Sequence, residues 1–239
     1  MALSTNISGA SRSLRVLARL LSYPDAQLRA DLPDMREALL AEGVLASPRL
    51  AELEQLMRTL ASRSTLDAEE HYVELFDRGH ATSLHLFEHV HGDSRDRGPA
   101  MIDLTQTYEK AGLFLAPGEL PDYLPVVLEF VSTQPMAEAR AFLGEMAHIL
   151  NALFSALQSR ETAYASVLGA LLELSGEKVQ PVKVVADEAL DTSWEEPEVF
   201  DGCSVKGQGK PDQAHPIHFV KTDAAKTHAG AAASAGVSP

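Results

Sequence analysis

Apolar residues recur every three or four positions from residue 14 to about residue 176, which is the periodicity of amphipathic α-helices. A first stripe, Leu14–Leu21, ends before Pro24, because proline cannot continue a helix. A longer stripe occupies Pro135–Leu157. No segment in this region alternates apolar and polar residues as a half-buried strand does. The pattern therefore predicts a single all-α domain of about seven to nine packed helices.

Capping residues mark several predicted helix ends. Ser47 precedes a proline, an order typical of an N-cap followed by the first helical residue. Ser64 and Asp67 have the spacing of a capping box, and Gly112 and Gly176 suit the left-handed conformation that ends a helix. We therefore expect helices to start after the two serines and to end at the two glycines.

The composition changes at both ends of the helical region. After residue 176 the chain is rich in Pro, Gly, Ala, Lys and Asp, which bury too little apolar surface to offset the entropy of ordering. We predict a flexible N-terminus at residues 1–12, the helical domain at residues 13–178 and a mostly disordered acidic, Gly/Ala-rich tail at residues 179–239. The tail segment around Trp194 has two interpretations. It is either a short docking element or a segment that folds back on the domain or has no role.

Negative charge dominates the composition and limits the partners of the chain. The 239 residues contain 34 Asp and Glu against 20 Lys and Arg, a net charge of -14. Such a surface repels phosphate, so we expect no nucleic acid partner and no anionic membrane partner. Residues 64–134 contain 13 acidic and four basic side chains. This stretch either attracts a cationic ligand or forms an ordinary solvated acidic face.

Several classes of protein are excluded by what the sequence lacks. Cys203 is the single cysteine, which excludes an intramolecular disulfide and a multi-thiolate metal site. Arginines interrupt the apolar residues near the N-terminus, and no apolar run reaches the roughly 18 residues that span a bilayer. Neither a phosphate-binding glycine loop nor a Gly-x-Ser-x-Gly elbow occurs. We therefore expect a cytoplasmic protein without membrane insertion and without catalytic residues.

A histidine-rich stretch is the densest concentration of chemically versatile side chains. On a helix His85 and His89 would share a face at the spacing by which imidazoles chelate zinc, with Glu88 or His91 as a third ligand. In an extended conformation all three histidines would point to one side. A metal-dependent enzyme built on these residues is one interpretation. The other, which we favour, is that the histidines hydrogen-bond carboxylates and carbonyls and fix a loop between helices without a metal.

A longer set of motifs resembles a known family. The segment His71–Leu104, followed by Tyr108, Gly112 and Glu119–Pro125, is similar to the respiratory nitrate reductase assembly chaperones, the NarJ or delta-subunit family. The resemblance extends over residues 12 to 175, and the tail segment from Trp194 also resembles a C-terminal motif of the family. It implies an all-helical fold related to the TorD and DmsD chaperones of other molybdoenzymes.

The resemblance also implies a function. A member of this family binds the apo catalytic (alpha) subunit of nitrate reductase through its N-terminal segment, alone or in the alpha-beta complex. It enables insertion of the molybdenum cofactor, bis-molybdopterin guanine dinucleotide, and membrane docking of the client. The chaperone itself would hold no cofactor stably and would have no metal site.

Two elements of the family's peptide site match this sequence. One is a Tyr-x-x-Leu-Phe element that supplies an apolar face. The other corresponds to a Glu-Pro-x-Asp-His loop of the TorD and DmsD relatives. Its last residue is tyrosine in this sequence, so the charge-carrying role of the family's histidine is not transferred to this position. We expect the loop to be an exposed acidic rim, with its aspartate and tyrosine binding a guanidinium. The resulting client-site residues are Tyr72, Leu75, Phe76, Glu119, Pro121, Asp122 and Tyr123.

The stretch from His85 to Arg97 is predicted to be a structured connector that shapes the client site. Arg95 and Arg97 are its basic residues, and each is expected to pair with a nearby carboxylate such as Glu88, Asp93 or Asp103.

Overall fold

A computed structural model describes residues 9–92, 94–180 and 182 of the chain. These residues form ten α-helices and one 3-10 turn, His80–Thr82, and their only β feature is a single antiparallel bridge between His85 and Tyr123. In this described part no helix combines the length and apolar character needed to cross a membrane. The helices are α1 Ser11–Leu20, α2 Ala26–Glu42, α3 Ser47–Ser62, α4 Thr65–Phe76, α5 Leu86–His91, α6 Arg97–Lys110, α7 Leu124–Ser132, α8 Met136–Glu145, α9 Ala147–Ser159 and α10 Ala165–Ser175.

The predicted all-α class is confirmed, although the number of helices exceeds the predicted seven to nine. The stripe after Pro135 is divided between α8 and α9, because the backbone of Met146 leaves ideal helical geometry at φ -89° and ψ 0°. Apolar periodicity continues through this break, so the pattern gives no sign of it. The histidine stretch adds the helix α5, which is too short to show hydrophobic periodicity.

Local capping chemistry explains several helix ends. The Ser64 side chain accepts a hydrogen bond from the Asp67 N–H at 3.1 Å, and Gly112 and Gly176 adopt φ values of 81° and 82°, as predicted. Ser47 does not act as the N-cap, since it already lies inside α3. The N–H of the preceding residue donates instead to the Glu173 carboxylate on α10 at 2.6 Å, so a distant side chain replaces the local cap.

The tail lies almost entirely outside the described residues, and with it Trp194 and Cys203. Where the chain leaves α10 it runs along α9. The N–H of Gln180 donates to the Asn151 side chain at 2.7 Å, and the N–H of Val182 donates to Ser155 at 3.1 Å.

Helix α1 is one of the most buried helices of the domain. Its predicted stripe, Leu14–Leu21, is buried, with Leu14 only 1% exposed and Leu17, Leu20 and Leu21 fully enclosed. The helix contacts α2, α7 and α10. Burying so many leucines on one helix provides a large hydrophobic contribution to stability.

The N-terminus of α1 is capped by a residue from another helix. Ala10, at the N-cap position, has no side chain that can accept a hydrogen bond. The Glu42 carboxylate at the end of α2 accepts from the N–H groups of Arg12 at 3.1 Å and Ser13 at 2.7 Å. It thereby satisfies two otherwise free donors and places a negative charge at the positive end of the helix dipole.

Replacing Glu42 by alanine should therefore destabilise the domain without affecting any cavity. We expect the free energy of unfolding to fall by about 1–2 kcal/mol, because charge-assisted hydrogen bonds at a partly exposed helix end are lost. Urea unfolding measures this change. Glu37→Ala, an exposed substitution on the same helix, should change stability by less than about 0.5 kcal/mol. Equal stabilities of the two variants would contradict the capping role.

Candidate functional site

The predicted client-site loop lies directly beside the histidine stretch. Backbone hydrogen bonds join the two segments on either side of their bridge, from Leu86 N–H to Asp122 O at 3.0 Å and from Leu124 N–H to Leu84 O at 2.8 Å. The segment that precedes α5 and the segment that precedes α7 are thus paired over a few residues. This pairing brings together two motifs that are separated by more than 30 positions in the sequence.

Asp122 is buried, which corrects the expectation of an exposed loop carboxylate. It is 0% exposed and is enclosed by groups that bind its two oxygens. His85 Nδ1 lies 3.4 Å from Oδ1, while the Phe87 N–H at 3.3 Å and an Arg97 nitrogen at 3.5 Å approach Oδ2. The prediction was wrong because the paired segments cover this side chain. Asp122 therefore holds the loop in place and is not free to bind a client.

The pairing shifts the pKa values of both partners. The pKa of His85 is raised, mainly by its hydrogen bond to Asp122, and partial burial opposes this effect. Burial alone would raise the pKa of Asp122, but His85, the Phe87 N–H and Arg97 together lower it. The raised pKa means that the charged histidine stabilises the fold fully below about pH 6.5 and less as pH rises through the folded value. The lowered pKa of Asp122 means that its charged form stabilises the fold fully above about pH 4. This contribution is lost as pH falls through the folded value.

Tyr72 and Tyr123 connect the same loop to helix α1. The Tyr72 hydroxyl donates to the carbonyl of Leu21, the residue that ends α1, at 2.7 Å. It also lies 3.0 Å from the Tyr123 hydroxyl. The Tyr72 ring packs on Phe76 with ring centres 4.8 Å apart, and burial raises its pKa far above the ordinary value. Both tyrosines are therefore neutral hydrogen-bonding groups at neutral pH.

An open cavity of about 470 Å³ lies over these tyrosines, and we name it the tyrosine cavity. Its inner surface is aromatic, and the exposed carboxylates Asp77 and Glu119 lie at its edge. Neither carboxylate has an ion pair within the described part of the chain. The lining residues are Tyr23, Tyr72, Phe76, Asp77, Leu84, His85, Gly118, Glu119, Leu120 and Tyr123.

Four of the seven predicted client-site residues line this cavity, namely Tyr72, Phe76, Glu119 and Tyr123. Of the remaining three, Asp122 is buried as described above, and Leu75 and Pro121 lie behind the cavity. Leu75 is a core residue that is 5% exposed, and the carbonyl of the buried Pro121 accepts a hydrogen bond from Tyr108 at 2.8 Å.

Sequence reasoning missed two residues at the edge of the cavity. Tyr23 is 45% exposed and packs edge-on against Tyr72, with ring centres 5.7 Å apart. Its position before a proline indicated only a helix end. Asp77, one residue past α4, gave no signal apart from its charge.

The histidines of the stretch bind different partners. His89 Nε2 lies 2.8 Å from the Ser83 carbonyl oxygen, and His91 packs edge-on against Phe87. With His85 held on Asp122, the three rings do not converge. Across residues 9–92, 94–180 and 182, no three His, Cys, Asp or Glu side chains gather closely enough to hold a metal ion.

The two connector arginines differ. Arg97 lies 3.6 Å from Glu88 and 3.5 Å from Asp122, so it pairs with carboxylates as predicted. Arg95 is exposed and has no ion pair among the described residues, which do not include Asp93.

Asp122→Asn should destabilise the domain in a pH-dependent manner. We expect a loss of about 2–3 kcal/mol near pH 6, because Arg97 and charged His85 lose their buried partner. The difference from the wild type should narrow as pH rises through the raised pKa of His85, because the neutral ring no longer makes a charge-assisted bond. Urea unfolding at several pH values measures it.

The control for this experiment is His80→Gln, which removes an exposed histidine from the 3-10 turn. It should retain the pH dependence of the wild type. If Asp122→Asn shows the same stability difference from pH 6 to pH 8, the His85 interaction does not contribute as described.

Comparison with known proteins places this geometry in context. Residues 27–168 match the family described as nitrate reductase delta subunit. The chain is 45% identical to the nitrate reductase molybdenum cofactor assembly chaperone NarJ of Escherichia coli K12 over 196 residues, which cover 78% of this chain and 83% of that protein. It is 37% identical to a NarJ protein of Bacillus subtilis over 157 residues, 65% of this chain and 84% of that one.

A solved structure shows the same fold. A redox enzyme maturation protein from Archaeoglobus fulgidus superposes with a TM-score of 0.52 at 19% identity, covering 70% of this chain and 94% of the other.

Proposed function

This chain belongs to the family of nitrate reductase delta subunits, and from this membership we propose that it is an assembly chaperone for a respiratory nitrate reductase. It binds the apo catalytic subunit, alone or with the beta subunit, and assists insertion of the molybdenum cofactor before membrane docking. The cofactor is cargo for the client and is not held stably by the chaperone. The protein acts in the cytoplasm and is not an enzyme.

The observation that carries this proposal is the tyrosine cavity. Its volume of about 470 Å³ is within the usual range for binding sites. An aromatic floor and an edge of carboxylates that form no ion pair among the described residues fit an amphipathic segment that carries apolar and basic side chains. Helix-in-groove recognition of this kind derives affinity from the apolar face and orientation from the charges. The N-terminal segment of the catalytic subunit is the proposed occupant.

The buried contacts beneath the cavity support a role in binding. Asp122 fixes the loop from below, and the paired hydroxyls of Tyr72 and Tyr123 hold the floor against α1. A floor fixed in this way loses little conformational freedom when a client binds, which reduces the entropic cost of association.

The metal-enzyme alternative has less support. It requires His85, Glu88, His89 and His91 to form one ligand set, whereas His85 contacts Asp122, Glu88 lies near Arg97 and His89 contacts a carbonyl. The relatives are described as assembly chaperones. Both observations favour the binding protein.

The direct test uses a synthetic peptide with the N-terminal segment of the catalytic subunit from the same organism. The full chain should bind it, and affinity should fall as salt rises because the edge carboxylates are screened. Asp77→Asn should weaken binding about two- to fivefold, the usual range for an exposed ion pair. Tyr23→Ala should also weaken it by removing apolar contact. Isothermal titration calorimetry measures each affinity, and melting temperatures verify folding.

Glu37→Gln is the matched control, since this exposed carboxylate on α2 lines none of the cavities described here. Its affinity should equal that of the wild type. Failure of the wild type to bind the peptide, together with full maturation of nitrate reductase in cells lacking this chain, would overturn the proposed function.

A further inference from the structure

A second open cavity, of about 400 Å³, adjoins the tyrosine cavity and shares Glu119 with it. It lies where the end of α6 and the following loop meet α7, and we name it the Phe130 cavity. Its walls include the buried rings of Tyr108 and Phe130, whose centres are 4.8 Å apart. Phe114 also lines the cavity and is 79% exposed, so it contributes little to the core. A deep aromatic wall beside an exposed aromatic side chain is typical of a surface that contacts a partner.

The charges in this cavity are unbalanced. Two carboxylates, Glu119 and Glu129, and one cation, Arg15, line it. Arg15 donates to the Ser132 hydroxyl at 3.2 Å and lies more than 4 Å from both carboxylates, so it forms no ion pair with them. The cavity therefore has an excess negative charge against an apolar wall.

The state of Glu129 agrees with this imbalance. Its pKa is raised, first by partial burial and then by the negative charge of Glu119, and Arg15 offsets the effect only in part. A cation placed between the two carboxylates would relieve their repulsion. The exposed ring of Phe114 offers such a cation a second favourable contact through its π-face.

We propose that the Phe130 cavity receives an arginine or lysine side chain of the client segment, held between Glu119 and Glu129 with an adjacent apolar residue against the aromatic wall. This assignment rests on the proposed function, because it extends the path of the same segment from the tyrosine cavity past Glu119. The shared residue makes the two cavities neighbours on the surface.

A third cavity, at the opposite edge of the tyrosine cavity, offers an alternative path for the client segment. It adjoins the tyrosine cavity through Tyr23 and has a volume of about 310 Å³. Its charged lining residues are Glu69, Glu70 and Glu74 of α4 and Arg78, which follows that helix. It has no buried aromatic wall, and Tyr23 is the only ring that it contains. The Phe130 cavity thus offers more apolar contact to the side chains that flank a basic residue.

A double-mutant cycle tests the assignment. The probes are the synthetic client peptide and variants in which each Arg or Lys is replaced in turn by Gln. Glu129→Gln in the full chain should weaken binding of the unmodified peptide about two- to fivefold, as expected for an exposed ion pair. For one peptide position the two losses should be strongly non-additive, because the protein and peptide changes remove the same contact. Phe114→Ala should weaken binding through the same position.

Glu37→Gln and Glu70→Gln serve as controls in the cycle. Both should bind the full peptide set with wild-type affinities. Additive losses at every peptide position, or coupling to Glu70 instead of Glu129, would overturn the assignment. If Asp77→Asn still weakens binding in that case, the proposed function stands and only the second cavity is wrongly assigned. If the wild type binds no peptide at all, both proposals fail together.

Discussion

A buried negative charge requires partners, and the pairing of Asp122 fixes much of the structure around the candidate site. An unpaired carboxylate in this position would cost several kcal/mol. His85, the Phe87 N–H and Arg97 meet this requirement only if the segment before α5 lies against the segment before α7. That arrangement aligns two backbone hydrogen bonds. One carboxylate thus determines where the loop carrying Glu119 can be.

The same constraint extends to helix α1. Once Asp122 is fixed, its neighbour Tyr123 reaches the hydroxyl of Tyr72, and Tyr72 bonds the carbonyl at the end of α1. The C-terminal carbonyls of a helix need hydrogen-bond donors from outside the helix, so this bond serves both the core and the cavity floor. These two tyrosine hydroxyl groups therefore couple the candidate site to one of the largely buried helices of the domain.

Short-range features of this fold could be predicted from the sequence, whereas long-range pairing could not. The apolar stripe of α1, the Ser64 cap and the glycine exits depend on neighbours within a few residues, and all were predicted correctly. The cap on α1 comes from Glu42 and the burial of Asp122 from distant segments, so no local pattern indicates either. The family motif indicated an exposed aspartate in this loop, whereas Asp122 is buried. The identity of a residue in a motif does not show whether its carboxylate is exposed for binding or buried in support of the loop.

The distinction matters for how a negatively charged chaperone binds. The net charge of -14 suggests a general attraction for basic segments, yet several acidic residues are already used inside the fold, among them Glu42, Glu173 and Asp122. The carboxylates that lie at the cavities without ion pairs among the described residues are few, and they stand beside aromatic surface. Exposed ion pairs are individually weak and are screened by salt. The proposed client site would therefore take orientation from weak charges and affinity from a limited apolar area, a combination that permits release of a bound segment.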